Sequence, residues 1–149
     1  MSSLEKIPDA AQYGAPISLE MAKAVMQAAE AEAVREQWNL VIAIVDSGCN
    51  MIMLHKMDHA QLGSIPLAQQ KAETAVRFRR PTVAFQERLR QDTQELKMLA
   101  MPNVLPVEGG IPLILGGKIV GGIGVSGARS AQDAQDAQVA VAILDNFVH

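Results

Sequence analysis

The spacing of apolar positions changes along this chain, and the changes divide it into eight elements. Leu19, Ala22, Met26, Ala29 and Ala33 recur at the interval of one helix face. A helix is therefore predicted from Ser18, a capping residue with Glu20 in the first turn, to about Gln37. Asn39 to Asp46, NLVIAIVD, is a β-branched apolar run and reads as a strand; SGCN is turn chemistry, and Asn50 to Met57 reads as its hairpin partner. A second helix runs from Ser64, read as its cap, with Pro66 in the first turn, to about Phe78. It stops at Arg80-Pro81-Thr82, because the residue before proline avoids helical angles. Thr82 is read as the cap of a third helix to about Asp92, and Thr93 to Val107 as irregular. PLIL and KIVGGIGV, joined by Gly116-Gly117, form a second hairpin. Ser130-Ala131-Gln132-Asp133 reads as a capping box opening a last helix to about Phe147, whose AQDAQDAQ triplets look like solvated helix.

The order α-β-β-α-α-β-β-α, with hairpins bracketed by helices, predicts an α+β fold with an antiparallel sheet built from two hairpins and flanked by helices. Residues 1–17, polar and broken by Pro8 and Pro16, read as an arm ahead of a single domain over 18–149.

Glycine spacing adds a second question. GIGVSG, Gly122 to Gly127, spells the G-x-G-x-x-G of a dinucleotide loop. That motif needs a second parallel strand after its helix, with an acidic residue at the strand end. Only a helix and His149 follow Gly127, so NAD binding is not expected. Eight of the eleven glycines fall between Gly109 and Gly127. Gly116-Gly117 suit a tight turn, Gly121, Gly122 and Gly124 suit a bulge or a close approach, and Gly127 lets the chain turn into the last helix. Such glycines serve packing or floor a ligand pocket.

Composition narrows the setting. The chain has 149 residues, enough for one domain with a substantial core. Aromatics are 3%, so Ile, Leu, Val, Met and Ala must fill that core. Mean hydropathy is +0.12, rich for a small monomer, which points to apolar surface buried in a homo-oligomer. Net charge is −3 with interspersed signs and no basic stripe, so no nucleic-acid partner is expected. Cys49 is the single cysteine, no secretory h-region is visible, and no stretch approaches eighteen apolar residues. A cytoplasmic protein without a membrane partner is the expectation.

Candidate chemistry is sparse. His55 and His59 would lie about 13 Å apart in an extended strand and closer in a turn, with Asp58 between them. Without helical spacing they make a poor metal set, and no metal site is expected. Either is a candidate nitrogen donor to a bound group or an ordinary polar histidine; Met57 is a soft donor or a core side chain. Lys71 stands in a small-residue helical stretch and would need a carboxylate partner, for which Asp46, Asp58 and Glu108 are candidates. It is either a structural ion pair or an anion-holding group. Ser126 is not in a nucleophile elbow. With Gly127, Arg129 and the first N–H groups of the last helix it could instead hold a carboxylate. No catalytic acid–base pair is visible.

Three stretches, VIAIVDSGCNMIMLHKMDHAQLGSI, AQQKAETAVRFRRPT and EGGIPLILGGKIVGGIGVSGARSAQD, together resemble the GlcG/HbpS-like family, which includes the C-terminal domain of PduO-type corrinoid adenosyltransferases. The shared features are Asp46 and Gly48, Met57 to Ala60, Lys71 to Ala75, Pro81-Thr82, Gly109 to Pro112, and Val125 to Gly127 with Asp133. The resemblance covers about residues 17–147. It implies a profilin-like fold and oligomers. It also implies a small-molecule ligand, with haem or a related tetrapyrrole leading. The other reading it implies is an accessory protein of corrinoid-dependent diol or glycerol metabolism, or of glycolate metabolism, that binds a small carboxylate. The ligand-binding candidates are then His55, Met57, Asp58, His59, Lys71, Glu108, Gly109, Gly110, Ser126, Gly127 and Arg129. The chain departs from the family at Lys56, where Arg is usual, at Cys49, where a second glycine is common, and in a first helix without histidine.

Overall fold

The computed structural model describes residues 11–147. Four helices, α1 (Leu19–Glu36), α2 (Ser64–Phe78), α3 (Val83–Gln91) and α4 (Ser130–Val141), accompany four strands, β1 (Val41–Asp46), β2 (Met51–Lys56), β3 (Gly110–Leu115) and β4 (Lys118–Ser126). The fold is α+β, in the order that the hydrophobic spacing predicts. Thr93–Ala100 and Ala142–Phe147 form 3-10 turns, the first inside the stretch read as irregular, the second replacing the last turns of the final helix.

The strands form one sheet in the order β2-β1-β4-β3, every neighbouring pair antiparallel. β1 is buried at all six positions because both of its faces are covered. Val41, Ala43 and Val45 meet Ala68, Ala72 and Val76 of α2, whereas Ile42 and Ile44 join Val25, Met26 and Ala29 of α1 and Ala137 and Ala140 of α4. β4 is antiparallel to both neighbours, so the G-x-G-x-x-G spelling here has no parallel β-α-β unit around it.

The glycines of β4 set the depth of α2. A Cβ at Gly124 would lie 1.9 Å from the Ala68 carbonyl oxygen, and one at Gly122 would lie 2.7 Å from that of Ala72. The helix backbone thus rests almost directly on the strand. Gly116 and Gly117, at φ +59° and +76°, make the tight turn between β3 and β4.

None of the three hydroxyls expected to cap a later helix bonds to its first turn. Gly63 precedes α2, and the buried Ser64 hydroxyl instead accepts from Gln61 Nε2 (3.1 Å) and Ser126 Oγ (3.2 Å). Thr82 does stand at the N-cap position of α3, but it is buried and its Oγ1 accepts from the Gly110 N–H (2.9 Å), tying α3 to β3 instead of bonding the first turn. Arg129, not Ser130, is the N-cap of α4, and Gln132 Oε1 accepts the Arg129 N–H (3.1 Å). Asp133 is thereby free to turn inward. The AQDAQDAQ stretch is also not simply solvated. Asp133, Asp136, Ala137 and Ala140 are buried, an i, i+3, i+4, i+7 stripe with carboxylates in two apolar slots.

Residues 12–17 of the expected arm lie along β4. Gln12 O and Ile119 N–H pair at 2.8 Å, Ile17 N–H donates to Val120 O (2.9 Å), and Ile17 is buried. Residues 1–10 of that arm lie outside the described residues.

Candidate functional site

The candidate residues fall into two groups at the same end of the sheet. Val41 of β1 pairs with Lys56 on one side and Ser126 on the other, so the end of β2 and the end of β4 stand two strands apart, roughly 10 Å.

The first group is open. His55, Met57 and Asp58 line a concavity of about 520 Å³ together with Glu30, Val34, Leu54 and Lys56. His55 alternates onto the α1 face of β2, where its Nδ1 meets the Glu30 carboxylate. That contact occupies one ring nitrogen and leaves Nε2 for another partner. Met57 is half-buried, packs against the core, and donates its N–H to Leu40 O (2.9 Å). His59 is exposed at φ +68°, in the turn beyond, and does not line the concavity. No group of three His, Cys, Asp or Glu among the described residues is arranged to hold a metal ion.

The second group is closed around Lys71, whose side chain is 2% exposed. Its Nζ donates to Val125 O (2.8 Å) and to Asp133 Oδ2 (3.2 Å). Burial pushes the lysine down and the aspartate up, each restrained by the other's charge. The partner is therefore Asp133 and none of the three carboxylates expected. Asp46 is spent on its own hairpin, accepting the N–H groups of Gly48 and Asn50 (both 2.9 Å). Asp58 belongs to the open concavity. Glu108 acts on Lys71 only through space and is tied to Gln86, whose Oε1 accepts the Glu108 N–H (3.0 Å). Gly109, at φ +127°, and Gly110 give Lys71 its room: a Cβ would meet Lys71 Nζ at 2.8 Å in the first case and Lys71 O at 2.3 Å in the second.

Ser126 and Gly127 line a cavity of about 160 Å³ beside this pair, with Leu67, Leu105 and Val107. The expected anion seat at the start of α4 is filled from within. Asp133 Oδ1 accepts the Ala128 N–H (2.9 Å), and Gln132 takes that of Arg129. Arg129 itself is exposed and lines neither cavity.

Glu30 carries no mark in the sequence as a site residue, while Ser64 and Asp133 read there as capping residues rather than as partners of Ser126 and Lys71. The signal for Glu30 is weak, since nothing local marks a glutamate of one helix as the partner of a strand histidine. Asp133 carries a clearer one, its place on the apolar stripe of its helix.

A four-stranded antiparallel sheet with helices on both faces, holding one open and one closed polar cluster, defines the class. The chain belongs to the HbpS-like family, described as "Haem degrading protein HbpS-like", whose family model matches residues 17–144. It is 37% identical over 128 residues to protein GlcG of Escherichia coli strain K12, covering 86% of this chain and 94% of GlcG. Its structure is similar to that of a double mutant of Streptomyces reticuli HbpS, with TM-score 0.79 and 33% identity over 89% of this chain and 90% of that one. It is also similar to PduOC in a haem complex, with TM-score 0.78 and 29% identity over 86% of this chain and 94% of that one. No helix among the described residues is long and apolar enough to cross a membrane.

Proposed function

We propose that this chain is a cytoplasmic, homo-oligomeric protein that binds haem or a related tetrapyrrole in the concavity between α1 and the end of β2. The observation that carries the reading is His55 held by Glu30 at the wall of that concavity, a carboxylate–histidine pair of the kind that orients a histidine donor. The residues fit the group: Val34, Leu54 and Met57 supply apolar wall, His55 Nε2 the donor, and Lys56 a cation for a propionate. Bound haem would supply an iron centre for redox or oxygen chemistry; the chain's own part is to seat the ring, fix the His55 orientation through Glu30 and neutralise the carboxylates. The solved haem complex of PduOC supports the ligand class.

Hemin titration followed in the Soret region tests this. The expected result is a shifted band that His55→Ala abolishes and His59→Ala leaves unchanged. A spectrum of free hemin only, with wild-type protein, overturns it.

The small-carboxylate reading, as an accessory protein of corrinoid-dependent or glycolate metabolism, has the Lys71 cavity in its favour, because that space suits a few atoms rather than a macrocycle. Thermal stabilisation by small 2-hydroxy acids without a hemin shift would support it.

A further inference from the structure

Asp136 of α4 has no exposed surface, and neither of its carboxyl oxygens has a hydrogen-bond partner among the described residues. It sits in the seam between α4 and α1. Glu32 of α1, 5% exposed, faces it, and Asp133 lies one turn earlier on its own helix. Neither acid brings a spare cation. Arg35 is committed to Glu32 and Glu36, and Lys71 to Asp133. The surfaces of β3 and β4 packed there are apolar, with Leu113, Ile123 and Val125, and Asp145 of the following 3-10 turn is exposed. Two carboxyls, Asp136 and Glu32, thus meet in one buried seam with Asp133 a turn away, and among the described residues nothing receives the charge of Asp136.

We propose that the α1–α4 seam is a pH-sensitive latch, held while the Asp136 carboxyl keeps its proton and loosened as pH rises, because the opened carboxyl gives its proton up. Burial first, then Glu32 and Asp133, push this carboxyl up to about 8. Once open to water it ionises near 3.9. Between these values the closed seam holds a proton that the open seam lacks, so opening gains about tenfold per pH unit until about pH 8. Glu30, the partner of His55, lies on α1 two residues before Glu32, so release of α1 withdraws it from the concavity. This last consequence rests on the haem reading; the latch does not.

Hydrogen exchange of the α1 and α4 amides between pH 6 and 8, expressed as protection factors, reads the latch directly. Wild-type protection is expected to fall about tenfold per pH unit and Asp136→Asn protection to stay level. Glu32→Gln keeps the carboxyl but removes its nearest like charge, so the fall should level off at lower pH; this variant carries the test if Asp136→Asn does not fold. Constant wild-type protection, or an equal slope in Asp136→Asn, overturns the latch. Hemin titration at pH 6 and 8 reads the consequence separately, with weaker binding expected at pH 8 in wild type only. Absence of hemin binding at both pH values overturns the haem reading, while the exchange slope alone decides the latch.

Discussion

Lys71 and His55 both carry a carboxylate partner from a different element, yet their surroundings are opposite. Lys71 is 2% exposed, bonded to Asp133 and Val125, and packed under Gly109 and Gly110, while His55 is 46% exposed with a single partner, Glu30. A buried pair bonded to each other and to the neighbouring strand holds elements together, here α2, β4 and α4. An exposed histidine with one nitrogen fixed and the other free is arranged to meet something else. Charge and residue type alone rank the two sites equally; burial separates them.

Four substitutions break or sharpen that contrast. The largest effect is expected on the Lys71 side, where Gly124→Val would drive a Cβ into the Ala68 carbonyl at 1.9 Å. Because the obstacle is helix backbone, the loss should exceed the ~1–3 kcal/mol of ordinary overpacking, leaving little folded protein by circular dichroism. Lys71→Met strands Asp133 in the interior and should cost about 3–5 kcal/mol in urea unfolding; a loss under about 1 kcal/mol would make the pair dispensable. His55→Ala should stay within about 0.5 kcal/mol of wild type in the same measurement while removing the Soret shift. Glu30→Gln should keep that shift but weaken hemin binding by about tenfold, the effect of losing an orienting partner. Equal stability losses for Lys71→Met and His55→Ala would erase the distinction between the sites.

The sheet and its helices are legible in the sequence because they rest on local signals: the β-branched run of β1, the Gly116-Gly117 turn, and the small-residue face of α2 opposite the β4 glycines. The sites are less so. Lys71 and Asp133 are sixty-two positions apart, and only the folded chain brings them together. Ser64, Thr82 and Ser130 stand where caps usually stand, but burial gives the first two hydroxyls tertiary partners and leaves Arg129 to cap α4. Asp136 was hidden by composition, since a repeat of Ala, Gln and Asp looks solvated until its period is matched to the helix face.

The central pairing of β1 with β4 also has a consequence for how the chain reaches this state. Each hairpin closes over a few residues, but the register that sets Asp46 beside Gly121 encloses roughly seventy-five residues of intervening chain. Loop-closure entropy makes such a contact late relative to the hairpins. Two preformed ribbons should therefore appear first and join along the β1–β4 line, with α2 settling onto the glycines only once that line exists.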